Sequence, residues 1–276
     1  MKPFETAPRT AGKSRPAARG TVSVRGRGTD RILDVLDHLE RVSPVTVKDL
    51  ASALKAPKST LYLLVELLVA REYLEPASDG HYQLGPRAGR LGMAYGRTNS
   101  FPAVARQLLQ ELADASGVVA ELVVLENWTQ FVAFAMTSAD NPYLRSSEGA
   151  RFPLPHTASA RFLLRDVPPN TILREIPAEH YRFPNGDSIT PQAFIDDIAA
   201  SRDALACSTR GIVAPHLSCI AAPLLGPDGK CRAAVSLVMP LAEIDAREAA
   251  LTQTVLRTAA ALSEQMRMIP VNIPGT

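Results

Sequence analysis

The feature that most constrains this sequence is a succession of three short helical patterns and one hairpin pattern within residues 29–84. Apolar residues at helical spacing predict a first helix, with Asp30 in its first turn. Ser43-Pro44 breaks that pattern, and Thr46 then has the features of an N-cap for a short second helix. The apolar positions of the two helices are Ile32, Leu33, Val35, Leu36, Leu39, Val47, Leu50, Ala51 and Leu54. This part of the chain therefore predicts a small helical module.

A third helix is predicted over residues 58–74, directly after Pro57, a residue that suits the first turn of a helix. Its buried stripe is predicted at Leu61, Leu64, Val65 and Leu68. Residues 73–75 and 81–84 flank an Asp-Gly pair at 79–80, which is typical of a hairpin turn. The third helix is therefore expected to lead straight into two short strands.

Three helices followed by a hairpin predict a winged helix-turn-helix. In this fold the second helix braces the third, whose N-terminal turns can enter the major groove of DNA. Helix N-termini and hydroxyl groups also bind phosphate oxygens. The candidate DNA-contacting residues are Thr46, Lys58, Ser59, Thr60, Tyr62, Leu63 and His81. A winged helix that contacts another protein is the alternative interpretation.

The net charge of +2 conceals an asymmetry along the chain. Residues 1–28 hold seven basic residues against one acid and show no apolar period, so a disordered basic tail is expected there. Residues 29–98 hold nine bases and nine acids, whereas residues 99–276 hold 14 bases and 18 acids. A polyanionic partner is therefore expected to meet the N-terminal part of the chain, with the tail supplying the excess positive charge.

Residues 54–92 resemble the DNA-binding half of the IclR family of bacterial transcription regulators. The resemblance rests on Pro-Lys-Ser-Thr at 57–60, Leu-Val-Ala-Arg at 68–71 and Tyr-Gln-Leu-Gly at 82–85. It continues to about residue 267. It implies a winged helix-turn-helix over 29–84, a linker helix over 85–98 and an effector-binding, GAF-like domain over 99–276. It also implies a homodimer or homotetramer that binds a palindromic double-stranded DNA operator.

The residues of the C-terminal part independently predict an α+β domain. An amphipathic helix runs from Pro102 to Ser116, and Gly117 ends it. Two strand pairs follow, and their turns are Asn-Trp-Thr at 127–129 and Pro-Asp-Gly-Lys at 227–230. Further elements are predicted as a strand over 141–147 and helices over 191–205 and 245–268. Helices packed on an antiparallel sheet are the expected architecture.

A candidate ligand site lies where residues 153–160 lead from a loop into a predicted helix. Free backbone N–H groups at such a helix start can bind a carboxylate, and Thr157 and Ser159 add hydroxyl groups. The family resemblance implies an effector site lined by Thr157, Ala158, Ser159, Leu217, Cys219, Ser236 and Val238. This mixture of apolar and hydroxyl groups suits a small organic acid or an aromatic ligand. Ordinary core packing is the alternative interpretation for each of these residues.

Several positions depart from the usual pattern of the family. Leu63 stands where the recognition helix often carries arginine, so it can pack on a thymine methyl group or belong to the helix core. The candidate effector site departs at Pro155, Ala160, Thr209 and His216. Fewer acids there favour an anionic or aromatic ligand, which Arg145, Arg151 and Arg161 could reinforce unless they are simply solvated. A regulator that has lost its effector response is therefore a further alternative.

Other function classes find little support in the sequence. It holds no glycine-rich phosphate loop, no HExxH and no CxxC pair. Cys219 with His156 can be read as a nucleophile and base, or with His216 as metal ligands, but a cysteine in an apolar strand favours the core. We therefore expect a regulator without enzyme activity, metal or cofactor. The rival is a small-molecule sensor or enzyme-like domain whose winged helix contacts proteins.

The cellular location is also an expectation from sequence. Three cysteines are too few for a disulfide scaffold, which favours a reducing compartment. No apolar run approaches the ~18 residues that span a bilayer, and the first 15 residues lack the apolar core of a signal peptide. A cytoplasmic protein without a membrane partner is therefore expected.

Overall fold

The computed structural model describes residues 27–139, 141 and 143–268. Most of the predicted disordered tail lies outside the described residues, but helix α1 begins at Arg27, two residues earlier than expected. The chain divides into two compact units. The first unit runs to Ala70 and includes Glu75–Leu84, and the second contains Arg71–Leu74 and everything from Gly85 onward.

The first unit contains three helices and a small three-stranded sheet. The helices are α1 (Arg27–Arg41), α2 (Val47–Ala53) and α3 (Lys58–Ala70), and the strands are β1 (Val45–Thr46), β2 (Leu74–Pro76) and β3 (His81–Leu84). The strand order is β1-β3-β2, with Val45 opposite Tyr82. Strand β1 was not expected. The core of this unit is built from one face of each helix, at Val35, Leu39, Leu50, Leu61 and Val65.

Helix α3 is shorter than the sequence predicts. It ends at Ala70 instead of continuing to residue 74, because Glu72 adopts a left-handed backbone (φ 63°) and β2 begins at Leu74. The hairpin turn is confirmed, since Asp79 and Gly80 both have positive φ. Leu61, Val65 and Leu68 are buried as predicted, and Leu64 is partly buried.

The second unit begins with two helices, α4 (Pro86–Thr98) and α5 (Phe101–Ser116). A six-stranded antiparallel sheet follows in the order β6-β5-β4-β9-β8-β7. Its strands are β4 (Val119–Glu126), β5 (Thr129–Thr137), β6 (Arg151–Pro153), β7 (Cys207–Arg210), β8 (Leu217–Leu225) and β9 (Cys231–Pro240). The remaining helices are α6 (Ala160–Leu163), α7 (Pro169–Glu175), α8 (Pro191–Ala200) and α9 (Ile244–Met268).

Most expected elements of the second unit are present, but several differ, and helix α7 was not predicted. Gly117 ends α5 in the left-handed region (φ 67°), and Asn127 and Trp128 form a left-handed turn between β4 and β5. The strand predicted over 141–147 is wrong, because the edge strand β6 forms at Arg151–Pro153 instead. Helix α8 ends at Ala200, five residues early, and the short polar strand β7 was missed.

The two faces of the six-stranded sheet have different coverings. On one face, α5 and α9 pack against alternate strand residues such as Leu122 and Val235. On the other face, Val123 and Ala234 pack with Leu163 of α6. Fully burying a valine or leucine side chain of this kind stabilises the fold by roughly 1.5–3 kcal/mol. The second face is the one that leaves room for a cavity.

Among the described residues, no helix is long and apolar enough to cross a membrane.

Candidate functional site

The N-terminal turns of α3 present five of the seven residues predicted to contact DNA. These residues, which form the α3 surface, are Lys58, Ser59, Thr60, Tyr62 and Leu63. Tyr62 is 52% exposed and Leu63 is 68% exposed, whereas Thr60 is partly buried. The exposure of Leu63 contradicts the alternative that it belongs to the helix core. The α3 surface thus combines a cation, hydroxyl groups and an exposed apolar side chain.

Thr46 and His81, the other two predicted residues, are already hydrogen-bonded within the first unit. The Thr46 hydroxyl accepts a bond from the Asp49 N–H (3.2 Å) and donates one to the Asp49 carboxylate (2.7 Å), which lowers the pKa of Asp49. His81 lies opposite Thr46 in the β1–β3 ladder, and its Nδ1 lies 3.1 Å from the Ser78 carbonyl oxygen. Both side chains therefore hold local structure, and their contact with DNA stays a prediction.

A cavity of about 270 Å³ opens on the face of the large sheet opposite α5 and α9. Six of the seven residues predicted to line an effector site lie on its wall: Thr157, Ala158, Leu217, Cys219, Ser236 and Val238. Ser159 does not line it, but its hydroxyl donates to Oε1 of Gln130, which does. The structure therefore brings together residues from β8, β9 and the loop before α6.

The start of helix α6, which was expected to bind a carboxylate, is a weak anion-binding site. Helix α6 has four residues, and a 3₁₀ turn over Leu154–His156 precedes it. The Thr157 N–H donates to the Leu154 carbonyl (3.2 Å). A helix of one turn has a small dipole, so its backbone contributes little attraction for an anion.

Glu121 and Gln130 are cavity residues that the sequence prediction missed. Each is 3% exposed, Glu121 on β4 and Gln130 on β5. Burial raises the pKa of the Glu121 carboxyl to about 7, and the Ser146 hydroxyl acts in the opposite direction. The expectation of a site poor in acids therefore needs correction. The available signal was the strand alternation, which places Glu121 on the same face as Val123.

Three arginines near the cavity have different roles. Arg161, 4% exposed, donates from Nη1 to the Thr157 carbonyl (2.8 Å) and from Nη2 to Asp197 of α8 (3.0 Å). Its guanidinium also lies 5.1 Å from the ring centroid of Phe194. Arg161 is thus neither solvated nor a wall residue, and it fixes the loop before α6.

Arg151 and Arg145 complete the set. Arg151 forms an ion pair with Glu126 and lies over the Phe131 ring. Arg145 lines the cavity and is an exposed residue. Of the three arginines, Arg145 is therefore the one that lines the cavity.

The cysteine and histidine pair proposed as a nucleophile and base has unsuitable surroundings. Burial raises the pKa of the Cys219 thiol to about 12, so the thiolate is scarce at neutral pH. Burial also lowers the pKa of His156, whose Nε2 lies 2.9 Å from the His180 carbonyl oxygen. Within the described part of the chain, no group of three or more His, Cys, Asp or Glu residues is arranged to hold a metal ion.

Comparison with known proteins gives two matches to domain families. Residues 28–78 match the IclR helix-turn-helix domain, and residues 95–264 match the bacterial transcriptional regulator IclR C-terminal domain. The chain is also 29% identical over 244 residues to the HTH-type transcriptional regulator BhcR of Paracoccus denitrificans. That match covers 86% of each chain.

Solved structures show the same fold. An IclR transcriptional regulator from Alicyclobacillus acidocaldarius superposes with a TM-score of 0.76 at 21% identity, covering 87% of this chain and 98% of that chain. An IclR homologue from Microbacterium hydrocarbonoxydans, complexed with 4-hydroxybenzoate, has a TM-score of 0.73 at 20% identity. That match covers 87% of this chain and 99% of the homologue.

Proposed function

Because this chain belongs to the IclR family of bacterial transcriptional regulators, we propose that its α3 surface contacts operator DNA and that its cavity binds a small organic effector. The observation that carries the first part is the exposure of Tyr62 and Leu63 beside Lys58 and Ser59 on two turns of one helix. The observation that carries the second is the shared wall formed by the cavity residues of β8, β9 and the loop before α6.

On the α3 surface, phosphate contact and base contact use different side chains. Lys58 and the hydroxyls of Ser59 and Thr60 suit phosphate oxygens, which position the helix without reading sequence. Leu63 lacks a hydrogen-bonding group, so it reads DNA by packing on the methyl group of thymine. Tyr62 offers both a ring and a hydroxyl. This set favours operators with thymine at the position that Leu63 meets.

The basic N-terminal segment supplements the phosphate contacts. Residues 29–98 have no net charge, whereas residues 1–28 hold seven basic residues and one acid. Counterion release makes binding of this kind fall steeply with salt. The proposed role of the segment is to increase the affinity for DNA without adding sequence preference.

The proposed effector is a small organic acid, aromatic or aliphatic. The cavity wall is mostly apolar with a few hydroxyl groups, and Arg145 supplies a positive charge. The 4-hydroxybenzoate complex of the Microbacterium hydrocarbonoxydans homologue supports an acid of this type. Effector binding regulates DNA binding through linkage, because a ligand that prefers one arrangement of the two units changes the affinity of the other site.

The proposed working form is a cytoplasmic homodimer or homotetramer without enzyme activity. Two-fold symmetric half-sites require at least two copies of α3, which favours a symmetric oligomer. The buried, protonated Cys219 thiol argues against nucleophilic catalysis in the cavity. Turnover of a ligand by the purified chain would contradict the assignment as a regulator without catalysis.

The proposed function is tested by measuring binding to the DNA upstream of the gene that encodes this chain. Fluorescence anisotropy with the full chain, at several salt concentrations, is expected to give specific binding that weakens as salt rises. A scrambled duplex of the same length and composition is the control. Equal binding of the two duplexes would contradict sequence-specific recognition.

A further inference from the structure

Glu121 distinguishes this cavity from a plain apolar pocket. It lies on β4, one of the two central strands of the sheet, directly opposite Ser236 of β9. Both residues line the cavity and both are 3% exposed. A carboxyl group buried among apolar side chains costs free energy unless it is hydrogen-bonded. Its position at the cavity wall means that a bound ligand can provide such a bond.

Among the described residues that line the cavity, none is a buried cation beside Glu121. Arg145 is the cation among the described wall residues, and it is exposed whereas Glu121 is buried. The raised pKa of Glu121 reflects burial, offset in part by the hydroxyl of Ser146 and by no charged group. The side-chain oxygen of Gln130 already accepts a hydrogen bond from Ser159. The wall therefore presents an exposed positive charge and a buried acceptor to the same ligand.

We propose that Glu121 is a specificity-determining residue that selects small carboxylic acids carrying a second, hydrogen-bond-donating group, either a hydroxyl or an amino group. This inference rests on the proposed effector function of the cavity. The ligand carboxylate lies towards Arg145, and the donor group meets Glu121 at the buried end. A volume of about 270 Å³ limits the ligand to a small molecule.

Discrimination arises from the cost of burying the Glu121 carboxyl under a ligand that gives it no hydrogen bond. An acid that lacks the donor group removes water from the carboxyl and returns no hydrogen bond. Sites built to hydrogen-bond a hydroxyl reject the analogue without it far more strongly than apolar pockets reject a missing methylene. The hydroxylated member of a matched pair of acids is therefore expected to bind at least tenfold more tightly.

The experiment is isothermal titration of the full chain with matched pairs of acids. The pairs are 4-hydroxybenzoate with benzoate, 4-aminobenzoate with benzoate, glycolate with acetate, and 3-hydroxybutyrate with butyrate. At least one pair is expected to show the tenfold preference. In Glu121→Leu the preference should disappear, whereas it should persist in Glu111→Gln, which alters an exposed acid on α5. If Glu121→Leu does not fold, Glu121→Gln replaces it and is expected to reduce the preference at least threefold.

Three outcomes would overturn the inference: equal binding within every pair, no binding of any acid, or a preference that survives substitution of Glu121. Wild-type binding to the upstream DNA is measured in parallel without ligand. Sequence-specific DNA binding together with any of these outcomes shows that the ligand class is wrong and the regulator assignment holds. Absence of DNA binding shows instead that the proposed function has failed.

Discussion

The α3 surface and the cavity differ in how their residues come together. The α3 surface is a contiguous stretch of one helix, and its chemistry is exposed. The cavity draws on β4, β5, β6, β8, β9 and three loops, and its polar groups Glu121 and Gln130 are almost fully buried. A local site can be read from sequence spacing, whereas a site assembled from distant strands depends on register. The two regions therefore differ in how a substitution is expected to act.

The largest expected effect is on stability in the cavity region. At pH values between 4.5 and about 7, the folded chain retains a proton on Glu121 that the unfolded chain has lost. The free energy of unfolding should therefore fall as the pH rises through this range, by about 3 kcal/mol in total. Glu121→Gln carries no such proton, so its advantage over wild type should grow with pH. Urea denaturation at pH 5 and pH 8 measures this, and an advantage independent of pH would contradict the burial of the carboxyl.

The second effect compares the loss of stability on replacing Arg161, which supports the loop before α6, with the loss on replacing Arg232, which forms a surface ion pair. Arg161→Met removes hydrogen bonds to buried carbonyl groups and the ion pair with Asp197. Because Asp197 is half-exposed, loss of the ion pair adds little to the destabilisation. The expected destabilisation is about 2 kcal/mol, with weaker binding of acids. Arg232→Met, which removes an ion pair between two half-exposed side chains, should cost less than about 0.5 kcal/mol. Equal losses in the two variants, measured by denaturation, would show that Arg161 does not support the loop.

The third effect concerns the contribution of the basic N-terminal segment to DNA affinity. Deletion of residues 1–26 removes six basic residues and leaves α1 intact. The affinity for operator DNA is expected to fall roughly tenfold, and the salt slope to flatten by about 0.9 for each lost phosphate contact. The ratio of specific to scrambled binding should stay nearly the same. An unchanged salt slope, measured by anisotropy, would exclude this segment from the interface.

The smallest expected effect tests the apolar contact of Leu63. Replacing operator thymines by deoxyuridine, one position at a time, removes the C5 methyl group and leaves base pairing intact. One lost methyl contact is worth about 0.8 kcal/mol, or roughly a fourfold weaker affinity. The loss should occur at one position in each half-site for wild type and be absent in Leu63→Ala. If wild type and Leu63→Ala lose the same affinity when thymine is replaced by deoxyuridine, Leu63 does not contact a base.

The sequence predicted the first unit well because its signals are local. The N-cap at Thr46 and the Asp79-Gly80 turn each depend on neighbouring residues, and the structure contains both. The end of α3 was predicted four residues late, since apolar residues continue past the left-handed Glu72. Helix propensity alone cannot show where the backbone turns into a strand.

The second unit was predicted less completely because pairing partners are far apart in sequence. The four strands with long apolar runs were found, but the edge strands β6 and β7 are short and partly polar. Six of the seven effector residues line the cavity, whereas Glu121 was overlooked, since strand alternation gives its face of the sheet but not its position opposite Ser236 of β9. Strand order and register are set by tertiary packing, which a single sequence does not display.

Nuclease footprinting on the DNA upstream of the gene tests the central claim, that the α3 surface recognises an operator. Wild type should protect a two-fold symmetric site, and Thr60→Ala/Tyr62→Ala should lose that protection while keeping the thermal stability of the chain. Leu33→Ala, which changes an exposed apolar residue on α1, is the control and should protect the site as wild type does. Protection by the double variant at the same protein concentration as wild type would contradict the account.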